Sequence, residues 1–93
     1  MQVHIKLYGP YSMMAGKKQF TMNIEQSHIS VEDFLNLLLK RMPKLQQVFD
    51  GKDIQRVLKR RMFLVINGSP CSNLSGIINN GDQVQVLTPI AGG

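Results

Sequence analysis

The sequence predicts an α+β roll, in which a mixed sheet of four to five strands packs on one main helix. Three observations lead to this prediction. Apolar and polar residues alternate near both ends of the chain, a stretch with helical spacing lies between them, and neither a repeat nor a linker divides the 93 residues. A chain of this length can bury one modest core, so a single globular domain is expected.

The N-terminal part predicts two strands joined by a long loop. Residues 2–7 alternate between polar and apolar side chains, which gives a strand with one apolar face. Gly9-Pro10 is typical of a strand end, and a second alternating stretch runs over residues 20–25. The two strands are therefore expected to form a hairpin.

A helix is predicted to begin after Ser30 and to end before Pro43. Serine is a good N-cap, and Glu32 and Asp33 in the first turn complement the helix dipole. Apolar residues then recur at helical spacing and predict a stripe that faces the core. The stripe consists of Val31, Phe34, Leu35, Leu38 and Met42.

The second half predicts a short helix, a central strand and a last strand. The spacing of apolar residues over 54–58 favours a helix, and residues 62–66 form a continuous apolar run. Such a run is typical of a strand buried on both faces. Asn67-Gly68 and residues 79–82 are strong turn signals, and residues 83–87 alternate as a final strand.

Composition limits the kinds of site and partner. Lys+Arg is 11 against Asp+Glu 6, so the net charge is +5, and eight of the basic residues lie within 40–61. This segment predicts either a solvated face or a patch that docks an acidic partner. RNA binding is disfavoured, because it needs stacking aromatics, whereas Trp is absent and both Phe49 and Phe63 are expected to be buried.

Metal, membrane and export signals are missing from the sequence. One cysteine excludes an internal disulfide, and two histidines make a zinc site improbable. No apolar run approaches the roughly 20 residues of a membrane helix, and the first residues do not resemble a signal peptide, so a cytoplasmic protein is expected. Cys71 is interpreted as a small, partly buried residue rather than a reactive thiol, and His4 and His28 are too isolated to form a metal site or a dyad.

The C-terminus is the most informative segment. The chain runs from its last predicted strand into a short tail, residues 88–93, that ends in Gly92-Gly93. Glycines without side chains can enter a narrow channel in an extended conformation, which would present the Gly93 carboxylate to an enzyme. From the residues alone, a chance Gly-Gly ending is favoured over a functional one.

The chain resembles the MoaD/ThiS sulfur-carrier family along essentially its whole length, and the C-terminal third is the specific part of the resemblance. The residues that carry the resemblance are Asn67-Gly68 after a strand, Asn80-Gly81-Asp82 in the turn before the last strand, and the ending Pro89-Ile90-Ala91-Gly92-Gly93. Asn80 stands where the family usually has an acidic residue. The resemblance implies a ubiquitin-like β-grasp domain over residues 1–87 and a flexible tail over residues 88–93.

The resemblance also implies a function that needs no catalytic side chains in this chain. An adenylating, ubiquitin-activating-like enzyme would use ATP to activate the Gly93 carboxylate, and a sulfur donor would convert it to a thiocarboxylate. Pro89, Ile90, Ala91 and Gly92 would hold the tail in the partner, and no cofactor would be permanently bound. The implied acceptor is the large subunit of a molybdopterin synthase or an equivalent enzyme. A thiamine-pathway carrier, and a protein modifier conjugated through Gly93, remain alternatives.

Overall fold

The computed structural model describes residues 1–49 and 53–89 as an α+β fold. The strands are β1 (Gln2–Leu7), β2 (Gln19–Asn23), β3 (His28–Ser30), β4 (Phe63–Ile66), β5 (Ser69–Cys71), β6 (Ile77–Asn79) and β7 (Gln83–Leu87). The helices are α1 (Pro10–Ala15), α2 (Val31–Arg41), α3 (Gln46–Phe49) and α4 (Ile54–Arg60), with a 3₁₀ turn at Pro43–Leu45.

The main sheet has five strands in the order β2-β1-β7-β4-β5. β1 and β7 pair in parallel at its centre, with Ile5 opposite Val84, and the other pairs are antiparallel. The first and last strands of the chain are therefore neighbours, and the mixed sheet predicted from the alternating ends is confirmed. A separate two-stranded sheet pairs β3 with β6.

Helix α2 supplies the layer that covers one face of the main sheet. Its predicted cap is confirmed, since the Ser30 hydroxyl accepts a hydrogen bond from the Asp33 amide at 3.1 Å. Val31, Phe34, Leu35 and Leu38 are all buried, whereas Met42, the last residue of the predicted stripe, is half-buried. The core lies between this stripe and the inward-facing residues of β1, β7 and β4.

The connection between β1 and β2 differs from the predicted open loop, because it contains α1. Gly9 precedes this helix with φ of 57°, a conformation that favours glycine, and Pro10 occupies the first turn, where proline is tolerated. Tyr11 is buried in the core. Burial of the Tyr11 side chain holds α1 against the core. Neither Gly9-Pro10 nor the local sequence pattern predicted this helix.

The prediction that residues 62–66 form a strand buried on both faces was wrong for one of the faces. Met62 and Leu64 are buried, but Phe63 is 38% exposed and Val65 is half-buried. The predicted helix over 54–58 is confirmed as α4, whereas the turn signal at Asp50-Gly51 lies outside the described residues. The helices cover one face of the sheet, so alternate residues of β4 point to the open face.

No helix in residues 1–49 and 53–89 is long and apolar enough to cross a membrane.

Candidate functional site

Strand β7 links two regions of different character. At its start lie the turns at residues 67–68 and 79–82, which we call the motif end. At its last residue, Leu87, the chain leaves the sheet, and we call this the tail end. With about 3.3 Å per residue, the two ends of this five-residue strand are about 15 Å apart.

The motif end is held together by side-chain hydrogen bonds. Asn67 adopts φ of 52°, its side-chain oxygen accepts from the Gln83 amide at 2.9 Å, and its side-chain nitrogen donates to the Asp82 carboxylate at 2.8 Å. The second carboxylate oxygen of Asp82 accepts from the Asn79 amide at 2.8 Å. These contacts lock two turns to the start of β7, so the residues that carry the resemblance serve here as scaffold.

Asn80 also has a structural role at the motif end. Its side-chain oxygen accepts a hydrogen bond from the Gln2 amide at 2.8 Å, and the Gly81 amide donates to the Gln2 carbonyl at 2.7 Å. Gly81 has φ of 85°, which a residue with a side chain rarely adopts. The turn before β7 thus ties down the beginning of β1, and an amide at position 80 suffices for this contact.

At the tail end the structure describes the first two residues beyond the sheet. Thr88 is exposed and Pro89 is half-buried. The other residues predicted for the site, Ile90, Ala91, Gly92 and Gly93, lie outside the described residues. The part of the site that the structure does place is therefore the surface from which the tail departs.

An apolar patch surrounds the tail end on the open face of the sheet. Phe63 of β4 lies opposite Leu87 of β7, and Val65 is the next residue of β4 on the same face. Tyr8 follows β1, and its amide donates to the Val86 carbonyl at 3.1 Å, which places Tyr8 beside Leu87. Tyr8 is 40% and Phe63 38% exposed, so two aromatic side chains are partly open to a partner. We call these four residues the apolar patch.

The sequence contains a signal for this patch that the prediction did not use. An antiparallel strand that carries helices on only one side leaves its other face open. A continuous apolar run such as 62–66 then places apolar side chains on both faces, of which one set is exposed. The run in β4, combined with a single main helix, was the sign of an exposed apolar surface.

Tyr11 connects the tail end to helix α4. Its hydroxyl donates a hydrogen bond to the Arg61 carbonyl, directly after α4. Burial raises the pKa of the Tyr11 hydroxyl, and the nearby Arg61 charge lowers it by a smaller amount. A neutral tyrosine hydroxyl therefore holds the end of α4 against α1, next to the start of β4.

The other candidate residues are scattered. Cys71 is half-buried in β5, with its sulfur 3.6 Å from the Asn73 carbonyl oxygen. His4 lies on the open face, 3.2 Å from the Thr21 hydroxyl, and His28 is exposed on β3. Among the residues that the structure describes, no group of three His, Cys, Asp or Glu side chains is placed to hold a metal ion.

Comparison with solved structures shows the same fold in proteins of low sequence identity. SAMP1 from Haloferax volcanii matches with a TM-score of 0.77 at 23% identity, over 100% of both chains. A chain in the complex of subunits 1 and 2 of molybdopterin-converting factor from Helicobacter pylori matches with 0.61 at 18%, again over 100% of both. A chain of the BexX/CysO complex of Amycolatopsis orientalis matches with 0.70 at 16%, over 98% of this chain and 99% of that one.

Sequence comparison identifies the family. No curated protein is similar enough in sequence to count as a match. The ThiS family profile, however, matches residues 5–93, which is almost the whole sequence and includes both the motif end and the tail. The β-grasp fold implied by the resemblance is the fold of the solved relatives. The chain therefore belongs to the ThiS family of ubiquitin-like β-grasp proteins.

Proposed function

We propose that the protein is a sulfur carrier whose Gly93 carboxylate is activated and converted to a thiocarboxylate. The observation that carries the proposal is the ThiS family match over residues 5–93, which extends through Gly92-Gly93. The chain is then a co-substrate of other enzymes, and its own folded domain presents the tail.

The chemistry starts from a carboxylate, which is a poor acyl electrophile. An oxygen of the Gly93 carboxylate attacks the α-phosphorus of ATP, pyrophosphate leaves, and an acyl adenylate forms in the adenylating partner. A persulfide of the donor then attacks the acyl carbon and AMP leaves, giving an acyl disulfide. A second thiol attacks the donor's sulfur in this bond and forms a disulfide with the donor, while the other sulfur stays on Gly93 as a thiocarboxylate.

The tail must reach a reaction centre that the folded domain cannot enter. Residues 88–93 span at most about 20 Å when extended, at about 3.3 Å per residue. We propose that Ala91 and Gly92 pass through the narrowest part of the partner's channel, because they are small. Pro89 and Ile90, nearer the sheet, are the residues that the partner would grip.

The apolar patch is the proposed docking surface of the domain. It consists of Tyr8, Phe63, Val65 and Leu87, and Leu87 directly precedes the tail. A partner that accepts the tail necessarily covers this region, and burial of aromatic and aliphatic side chains would supply the binding free energy. Solved relatives are found in complexes with partner subunits, as in the molybdopterin-converting factor of Helicobacter pylori.

For the acceptor, we propose the large subunit of a molybdopterin synthase, or an equivalent sulfur acceptor, as the first candidate. An acceptor in thiamine synthesis is the alternative within the same chemistry. In either case ATP is a substrate of the adenylating partner, and the carrier itself needs no resident cofactor. The proposed place of action is the cytoplasm, where ATP and thiol reductants are available.

Intact-mass spectrometry tests the proposal. The protein is incubated with ATP, with the ubiquitin-activating-like adenylating enzyme from the same cells, and with a persulfide sulfur donor. The expected product is heavier by the difference between one sulfur and one oxygen, and fragmentation assigns the change to Gly93. A control reaction first shows that the enzyme preparation activates another carrier protein. If the mass of this protein then stays unchanged, the proposal is ruled out.

The same acyl adenylate can also be attacked by the amine of a lysine, which would make the protein a modifier. This second fate would give higher-mass conjugates through Gly93 that resist a thiol reductant such as dithiothreitol. An acyl disulfide with the sulfur donor is also a higher-mass species, but the reductant cleaves it. Gel analysis of tagged protein from native cells, with and without a thiol reagent, separates the two fates.

A further inference from the structure

We infer that the mouth of the tail-binding channel in the adenylating partner is acidic, because basic side chains border the tail end on both sides. The inference rests on the proposed function and specifies its partner. The side chains, which we call the basic border, are Lys6, Lys18, Arg60 and Arg61, and all four are exposed.

Two members of the basic border lie on the β1 side of the tail. Lys6 is opposite Gln85 of β7, and the Lys18 carbonyl accepts from the Leu7 amide at 2.8 Å. Because β1 runs parallel to β7, these residues lie at the end of the central strands where the tail leaves the sheet. Together with Tyr8 they line a groove of about 470 Å³.

The other two members lie on the β4 side. β4 runs antiparallel to β7 and begins at Phe63, opposite Leu87. Arg60 is the last residue of α4, and Arg61 follows it, two residues before Phe63. Both arginines and Arg56 line a hollow of about 150 Å³ at the surface of α4. Arg60 and Arg61 therefore lead directly into the strand that carries Phe63, while Lys6 and Lys18 lie on the β1 side of the tail end.

Acidic side chains next to the strands of this sheet lie at the opposite end of the strands. Glu25 follows the end of β2 and Asp82 precedes β7, and both positions are at the motif end. Asp53 caps the far end of α4. The acids beside the sheet therefore lie away from the tail, whereas cations lie at both ends of the strands, since Lys40 and Arg41 line a groove with Glu25 at the motif end.

The length of the tail makes this border part of the contact. When residues 88–93 fill a channel of at most about 20 Å, the edge of the sheet around Leu87 meets the channel mouth. Side chains at the rim of such an interface steer association and select partners by charge. A basic border on the carrier therefore requires carboxylates around the mouth.

A protein surface fits this region better than a nucleic acid. Single-stranded RNA binds through aromatic rings that are open for stacking on bases. Here the Tyr8 hydroxyl is held by the Gln85 side chain at 3.1 Å, and Phe63 lies between the aliphatic side chains of Val65 and Leu87. The aromatic rings are part of a continuous apolar surface, which suits a complementary protein surface.

The test measures adenylation, as ATP–pyrophosphate exchange by the adenylating enzyme from the same cells, against carrier concentration. The variants are Lys18→Glu, Arg60→Glu and their combination. The matched control is Lys40→Glu, which reverses the same charge in the last turn of α2, as Arg60→Glu does in the last turn of α4. Thermal unfolding verifies that each variant is folded, and Arg60→Gln provides a milder change at the same site.

Each border variant is expected to raise KM about threefold to tenfold at ~50 mM salt, with kcat unchanged, and the effect should shrink at high salt. The combined variant should show the largest rise, Arg60→Gln a smaller one, and the Lys40→Glu control less than a twofold change. A KM for the border variants equal to that of the control would overturn the inference, while leaving the carrier function intact.

Two further outcomes also count against it. Binding of poly(U) RNA by the wild type that is lost in Arg60→Glu, with no change in KM, would assign the border to nucleic acid instead. If the wild-type chain supports no exchange at all, the proposed function itself fails and the inference fails with it.

Discussion

The two ends of β7 differ in how their side chains are used, since one end is tied by hydrogen bonds and the other is open to solvent. At the motif end, Asn67, Asp82 and Asn80 form a network of hydrogen bonds that fixes two turns and the start of β1. At the tail end, Phe63 and Tyr8 are partly exposed, and Lys6 and Lys18 line a groove together with Tyr8. The recognisable motif lies in the scaffold, whereas the surface proposed to meet partners carries no short sequence pattern.

This difference shows why a motif and a functional surface need not coincide. A turn that needs a residue with positive φ and a hydrogen-bonded carboxylate accepts few residue types. Such a turn therefore produces a recognisable sequence pattern. A docking surface needs only apolar area and charge of the right sign, and many side chains supply both. The predictions below test whether the two ends can be disturbed independently, beginning with the largest effect.

Deletion of Gly93 should remove adenylation, with a loss of at least about 100-fold, because the reacting carboxylate is displaced by one residue of about 3.3 Å. The midpoint of thermal unfolding should not change, since the deletion lies beyond the sheet. ATP–pyrophosphate exchange measures the first effect and circular dichroism the second. Thr88→Ala, in the exposed start of the tail, is the control and should retain activity; retained activity after the deletion would exclude tail chemistry.

Asn67→Ala should lower the free energy of unfolding by about 2–3 kcal/mol. The substitution removes two side-chain hydrogen bonds, worth about 1 kcal/mol each, and places alanine at φ of 52°. Asn67→Gly tolerates that φ and should lose less. Urea unfolding measures both variants, and their kcat in adenylation should equal that of the wild type at a temperature where they are folded. A loss of kcat would link the motif end to the chemistry.

Phe63→Asp should weaken partner binding about tenfold, or about 1.4 kcal/mol, because it removes apolar area from the patch. Stability should also fall, by about 1 kcal/mol, because the ring is only 38% exposed and Asp is a poor strand residue, so affinity is compared at a temperature where the variants are folded. Gln83→Asp is the matched control, on the same face but at the motif end, and should leave affinity unchanged. Titration calorimetry with the adenylating enzyme compares them, and equal affinities would place the docking surface elsewhere.

Tyr11→Phe should cost about 1 kcal/mol at neutral pH through loss of the hydrogen bond to the Arg61 carbonyl. The raised pKa gives a further test. The unfolded tyrosine ionises near 10.0, whereas the folded one stays neutral to higher pH. Its contribution is therefore complete below pH 10 and decreases as the pH rises toward the folded pKa. As the pH rises through 10.0, the stability gap between wild type and variant should narrow, as measured by urea unfolding.

Much of the fold was predictable because the large elements have strong periodicity. The alternation in β1 and β7 and the stripe on α2 each extend over five or more residues, and the Ser30 cap has a local chemical reason. The three-residue strands β3, β5 and β6 are too short to show a period. They form because distant segments meet, as when Ile29 pairs with Ile78, and no local pattern encodes such a contact.

The site was less predictable than the fold. Gly92-Gly93 stood out because no other feature of the sequence suggested chemistry, and those residues lie outside the described part. Phe63 was assigned to the core because a continuous apolar run does not show which face a helix will cover. The basic segment 40–61 was recognised as a cluster, but its end at Arg60 and Arg61 joins Lys6 and Lys18 only through the strand order. These residues are far apart in the sequence, so their positions at the same end of the sheet could not be predicted from it.

The parallel pairing of β1 with β7 has a consequence for when the docking surface exists. Tyr8, Phe63 and Leu87 come from segments far apart in the chain, and they become neighbours only when the central strands pair. Contacts between such distant segments require closure of long loops, so they form late and together in folding. A partner that binds this surface therefore selects the folded state. An unfolded chain still has its tail, but it lacks the docking surface that would bring the tail to the partner.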